Sequence, residues 1–224
     1  SLIFSLEMQA DELAKRTLAS SAEVSQELID NGKACDDQGK ADDMMHVISL
    51  AKSSDMRICD KGGLTFSRLC SIARFEHRAK KLDVIVIDYL TLIQSDPGSR
   101  VQNRNQEIGN FTRGLKALAK ELQIPIVVLA QLNRGIENRA DSTPKMSDLR
   151  DSGEIEQDAD MIIFAHRDNR SEHGANGITE IDVAKCRHAQ VGFCLLKFQG
   201  EFARFVMPDQ ALSLIHISDG AREA

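Results

Sequence analysis

With 224 residues, 42% hydrophobic and 28% charged, the chain can bury a full core and has the composition of an ordinary globular protein. The formal net charge of −6 argues against a simple basic DNA-coating protein, and an aromatic content of 4%, with no Trp and one Tyr, leaves no evident platform for stacking bases. Cys35, Cys59, Cys70, Cys186 and Cys194 are odd in number and never form a C-x-x-C pair, which points to reduced cytosolic thiols and away from a disulfide frame or zinc site. The His residues show no metal-ligand spacing, and no run reaches the roughly eighteen apolar residues of a membrane span. The chain opens without Met inside the apolar run Leu2-Ile3-Phe4, as a piece of a longer protein would.

The first strand is expected at Leu2–Leu6, followed by a helix over Gln9–Ser20. Residues 21–56 are mixed and polar, and short helices separated by turns are expected there. Arg57–Asp60 reads as a short strand and Gly62-Gly63 as a turn. Thr65 is an N-cap for a helix running to about Lys81, with Leu69, Ile72 and Phe75 inward. The β-branched run Val84-Ile85-Val86-Ile87 ending on Asp88 reads as a strand buried on both faces of a parallel sheet. A polar loop around Pro97-Gly98 leads to a helix over Asn105–Leu122, with Ile108, Phe111, Leu115, Leu118, Ala119 and Leu122 on one face. Gly109 and Gly114 weaken that helix by about 1 kcal/mol each relative to Ala, so tertiary packing must hold it. Ile126–Ala130 is a second buried strand leading to Gln131, and residues 135–153 form a polar loop. Met161–Ala165, Ile178–Lys185, Cys194–Phe198 and Phe202–Val206 complete the strands, the last two joined as a hairpin through Gln199-Gly200-Glu201. Strands alternating with helices predict an α/β fold with a mostly parallel sheet and a closing antiparallel hairpin.

In open α/β sheets ligands gather at the carboxyl ends of the strands. Asp88 stands at such an end and either holds Mg²⁺ beside a nucleotide's phosphates or caps a turn. Glu7, just beyond the first strand, is either a general base or an exposed acid favoured by the next helix dipole. Gln131 can hydrogen-bond a γ-phosphate or cap its own strand. Lys185 and Arg187 suit anionic ligands and also suit an edge strand. In Ser147–Gly153, Arg150 can pair with a phosphate and Gly153 can let a backbone N–H approach one, yet the neighbouring acids also fit a charged surface loop.

Four stretches resemble one family: Phe4-Ser5-Leu6-Glu7-Met8, Val86-Ile87-Asp88-Tyr89-Leu90, Leu129-Ala130-Gln131-Leu132-Asn133-Arg134, and the long polar block Ser147–Asp160 (SDLRDSGEIEQDAD). Together they resemble the RecA-like motor domain of DnaB-type replicative DNA helicases over roughly residues 2–206. The resemblance implies ATP and Mg²⁺ as cofactors, with Asp88 on the metal, Glu7 on the attacking water and Gln131 as γ-phosphate sensor. Lys185 and Arg187 become cations reaching a neighbouring subunit's ATP, and Arg150, Asp151 and Gly153 contact single-stranded DNA. It further implies a homohexameric ring with ATP sites between subunits, 5′-to-3′ translocation, primase and a helicase loader as partners, and the bacterial cytoplasm as location. Whether a bacterium, a phage or a prophage encodes the chain stays open. Departures from the family pattern are Asp151 for a common Glu, Cys186 for Gln, and His188-Ala189 for Asn-Gly.

The motor domain, truncated at its N-terminus, is expected over 1–207, with 208–224 a tail, disordered or non-native. Two alternatives remain: another RecA-type ATPase, such as a recombinase or clock-like ATPase, or a non-catalytic remnant serving as a binding module. The second arises because no G-x-x-x-x-G-K-[ST] phosphate loop occurs in the chain. The 224-residue chain by itself is therefore expected to be inactive and to bind Mg-ATP weakly; a calorimetric titration giving micromolar affinity contradicts this.

Overall fold

The computed structural model describes residues 1–99, 103–133, 135, 136, 139, 141–149, 152–168 and 171–208. In chain order the elements are β1 (Leu2–Ser5), α1 (Ala10–Ala22), α2 (Gln26–Asp30), α3 (Gln38–Ser53), β2 (Arg57–Cys59), α4 (Phe66–Ala79), β3 (Ile85–Asp88), α5 (Arg104–Leu122), β4 (Ile126–Val128), α6 (Ser152–Asp158), β5 (Met161–His166), α7 (Glu172–Ala175), β6 (Ile178–Cys186), β7 (Gly192–Gln199) and β8 (Arg204–Val206). Contacts divide the chain into two compact units, one from residues 1–14, 48–133 and 149–159, the other from 15–47, 134–148 and 160 onward.

The first unit is built on a parallel sheet in the order β2-β1-β3-β4. Phe4 in β1, Ile85 and Ile87 in β3, Leu69 in α4, and Ile108 and Leu118 in α5 are almost fully buried and form its core. Each such side chain contributes about 1.5–3 kcal/mol on leaving water. Local signals set the helix starts. The Thr65 side chain accepts from the Arg68 N–H at 3.4 Å, and that of Asn103 from the Gln106 N–H at 2.9 Å.

The second unit carries a wholly antiparallel sheet, β5-β6-β7-β8. The expected closing hairpin is thus the last part of a four-stranded meander, with a 3₁₀ turn at Gly200–Phe202 before β8. Gly177, with φ of +84°, immediately precedes β6, and a methyl there would sit 2.5 Å from the Phe198 carbonyl oxygen, so only glycine fits.

Several expectations need correction. Phe75 does not point inward; it is 69% exposed. The buried face of α4 is Leu69, Cys70, Ala73 and His77, and Phe75, two positions beyond Ala73, lies on the far side of the helix. Nor is the strand after α5 deeply buried: among the described strands β4 pairs only with β3, and Val127 and Leu129 are 49% and 42% exposed. Ile85 and Ile87 are buried, whereas Val86 is half-buried, so β3 is covered fully on one face. Residues 21–56 include one long helix, α3, beside shorter turns. Asp37 precedes it and accepts from the Gly39 and Lys40 N–H groups, an acid serving as a helix start.

Gly114 faces Phe66, whose ring stacks on Phe111 with centroids 5.3 Å apart. A methyl at Gly114 would come within 2.4 Å of that ring. Gly114→Ala is expected to destabilise the fold by about 1–3 kcal/mol in urea unfolding, although alanine is the better helix former. Unchanged or raised stability would contradict this packing.

Candidate functional site

Backbone pairing brings three of the sequence-predicted residues to one edge of the first unit. Ser5 lies opposite Asp88 in the parallel ladder, and the Leu6 N–H donates to the Asp88 carbonyl at 2.8 Å. Ser5 is buried, and its hydroxyl donates to the Met8 carbonyl at 2.7 Å, closing the turn on which Glu7 is exposed. On the other side of β3 the Leu129 N–H donates to the Ile87 carbonyl at 2.9 Å, and the Leu90 N–H to the Leu129 carbonyl at 2.9 Å. Gln131 follows two residues later and is exposed. Glu7, Asp88 and Gln131 therefore leave the carboxyl ends of three adjacent parallel strands, where α/β sheets gather ligands.

The segment after Asp88, reached through a cis Asp88–Tyr89 peptide, is held by the first turn of α5. Arg104 donates to the Thr91 carbonyl and pairs with Glu107, which also accepts from the Ser95 hydroxyl. Burial pushes the Glu107 carboxyl up, but the Ser95 and Arg104 hydrogen bonds outweigh it and hold it below its usual value.

Beyond Gln131, Leu132 forms an isolated antiparallel bridge with Leu149, so the residue next to the amide touches the polar block. Asp148 in that block accepts from both terminal nitrogens of Arg139, at 3.1 and 2.7 Å, and from the Lys145 N–H at 2.8 Å. Gly153 is exposed in the first turn of α6, and a methyl there would meet open space, so no close packing within the chain requires glycine. Arg150 and Asp151 lie outside the described residues.

Lys185 and Arg187 belong to the second unit. Lys185 sits opposite Ile162 in the β5–β6 pairing. The Arg187 N–H donates to the Asp160 carbonyl at 2.9 Å, and its guanidinium lies 3.8 Å from the Asp160 carboxylate. No residue from 187 to 191 has a positive φ, so the turn holding His188-Ala189 forms without the left-handed backbone an Asn-Gly pair would favour. Among the described residues no three His, Cys, Asp or Glu side chains cluster as metal ligands, and no helix is long and apolar enough to cross a membrane.

The profile of the DnaB-like helicase C terminal domain matches residues 1–207. The chain belongs to that family. It is 44% identical over 209 residues to the replicative DNA helicase DnaB of Pasteurella multocida, covering 91% of this chain and 44% of the relative. It is 39% identical over 223 residues to that of Geobacillus stearothermophilus, covering 98% and 48%. The chain thus spans about half the length of the curated relatives it matches. Among solved structures it superposes on an ATPase domain with a TM-score of 0.84 at 32% identity, covering 93% of this chain and 74% of that one. It also superposes on a DnaB-like replicative helicase, solved to show its interactions with primase, with a TM-score of 0.83 at 33% identity, covering 92% of this chain and 49% of that one. Membership in the DnaB-like family removes the recombinase and clock-like alternatives.

Sequence reasoning missed the hydroxyl of Ser5 and the tie between Arg104, Glu107, Thr91 and Ser95. The Arg104/Glu107 spacing of three at a helix start was the available signal. Because the fold lowers the Glu107 carboxyl, its contribution to stability is complete above the ordinary glutamate value of 4.5 and is lost as pH falls through the lower folded value. Glu107→Gln is accordingly expected to flatten part of the acid limb of thermal stability below about pH 4.5. A limb that keeps its shape in the variant would show that Glu107 is not coupled to folding.

Proposed function

We propose that this chain is part of the motor of a replicative helicase that couples ATP hydrolysis to 5′-to-3′ translocation on single-stranded DNA and to duplex unwinding. The single observation that supports it most is the convergence of Glu7, Asp88 and Gln131 on one edge of the parallel sheet. In this reading residues 1–207 act as one motor domain within a longer polypeptide and 208–224 as a tail. The motor assembles as a homohexamer with ATP between subunits, meets primase and a loader, and works in the bacterial cytoplasm.

Asp88 fits a Mg²⁺ ion: it offers a half-exposed carboxylate at a strand end, and Mg²⁺ needs only one or two protein carboxylates beside phosphate oxygens and water. When bound there the ion neutralises charge on the β- and γ-phosphates. Glu7 takes the proton of the attacking water as the water oxygen bonds to the γ-phosphorus and the bond from that phosphorus to the bridging oxygen of the departing ADP breaks. The Gln131 amide donates to a γ-phosphate oxygen, and the Leu132–Leu149 bridge offers a route by which its loss reaches the DNA-facing block. Lys185 and Arg187 face the triphosphate of the adjacent subunit, where an arginine stabilises charge in the transition state. Arg150, Asp151 and Gly153 contact the DNA backbone, which carries no sequence information.

In the full-length helicase that carries this motor, Glu7→Gln is expected to lower ATP turnover by about 10²–10⁴ while retaining nucleotide binding. Arg187→Ala is expected to lower it by about 10³–10⁵. Mixed hexamers of the two variants should recover part of the activity, because some interfaces then pair an intact Glu7 with an intact Arg187. No recovery in a phosphate-release assay would refute sites shared between subunits.

A further inference from the structure

A set of contacts fastens α6 to one face of α5, using residues that the nucleotide chemistry does not need. Arg113 Nη1 donates to Glu154 Oε2 at 2.6 Å, while Nη2 donates to Asn110 Oδ1 at 2.8 Å and steadies the guanidinium. One position earlier, the Thr112 hydroxyl donates to the Asp158 carboxylate at the other end of α6. Ile155, between those acids, packs against the core of the first unit. The stem of Glu154 runs across Gly109, where an added methyl would sit 2.8 Å from Cγ and 2.9 Å from Cδ. Gly109 is thus a slot that admits the Glu154 side chain, and α6 begins at the end of the 147–153 block. Helix α5 is itself tied through Arg104 and Glu107 to Thr91 and Ser95, just after Asp88. One rigid element therefore contacts both the segment after Asp88 and α6.

We infer that Gly109, Thr112 and Arg113 are positioning residues for the DNA contact: through Glu154 and Asp158 they hold α6, which follows the proposed DNA-contacting residues in sequence, on α5, the helix that also holds the segment following Asp88. This rests on the proposed DNA role of that block. The Arg113–Glu154 pair is half-exposed, so its effect on local opening is modest and belongs to α6, not to the fold as a whole.

The test uses the full-length helicase with Arg113→Glu, Glu154→Arg, the double swap, Arg113→Lys and Gly109→Ala. Amide hydrogen exchange reports on α6, and fluorescence anisotropy of labelled oligo-dT reports on DNA. Each single reversal should speed exchange at 154–158 by about three- to tenfold, weaken oligo-dT binding by a similar factor, and leave the amides of β1 and β3 unchanged. The double swap and Arg113→Lys should recover both readouts. Gly109→Ala should loosen α6 even though alanine favours the helix that carries it, a sign opposite to a simple propensity effect. Unchanged exchange in α6 on single reversal, or no recovery in the double swap, overturns the clamp. Faster exchange with unchanged oligo-dT affinity overturns its role in DNA binding while leaving the ATP chemistry standing. Failure of the unmodified helicase to bind oligo-dT overturns the DNA reading and the positioning role together.

Discussion

The parallel pairing of β1 with β3 is the constraint on which the first unit depends. Ser5 stands opposite Asp88 because Phe4 and Ile87 are paired one step earlier and both are fully buried. Side chains alternate along a strand, so a slip of one residue would carry one strand's whole apolar set out of the core. The apolar register therefore fixes the spacing of the polar residues that follow. Glu7, Asp88 and Gln131 need no contact with one another to be placed; their strands end together, and the turns closed by Ser5–Met8 and Leu90–Leu129 present them.

Sequence patterns revealed features that are local and missed those that depend on a distant partner. The β-branched run before Asp88 and the cap at Thr65 express themselves within a few residues, and they form as the pattern predicts. Phe75 failed because helical spacing says which residues share a face but not how wide the covered stripe is; Leu69, Cys70, Ala73 and His77 fill it. β4 failed because an apolar run looks alike in the middle and at the edge of a sheet. Gly109 and Gly114 looked like weaknesses of α5, yet each is occupied by a side chain from another element, Glu154 and Phe66. No pattern inside α5 could have announced that.

In the second unit the turn after β6 forms from residues other than the family's usual pair. Lys185 is held in the β5–β6 ladder, and Arg187 is fixed by the main chain and carboxylate of Asp160. The course of the chain after β6 is thereby anchored on the β5 side of the pairing. His188-Ala189 then follows an ordinary backbone, and a pair suited to positive φ is not required.

Net charge is a poor guide to what such a chain can bind. The acids of the block from 147 to 160 made an anionic partner look unfavourable, but three of them are engaged with arginines: Asp148 with Arg139, Glu154 with Arg113, and Asp160 with Arg187. An acid held against a guanidinium repels a nearby phosphate far less than an isolated one, because the two fields cancel beyond a few ångströms and salt screens the remainder within about 10 Å. By contrast, Asp36, Asp37, Asp42 and Asp43 are exposed around the start of α3, with Lys33 and Lys40 among them. The formal charge of −6 is a sum over the whole chain, and the pairing of these acids with arginines from outside the block bears more directly on what an incoming phosphate would meet.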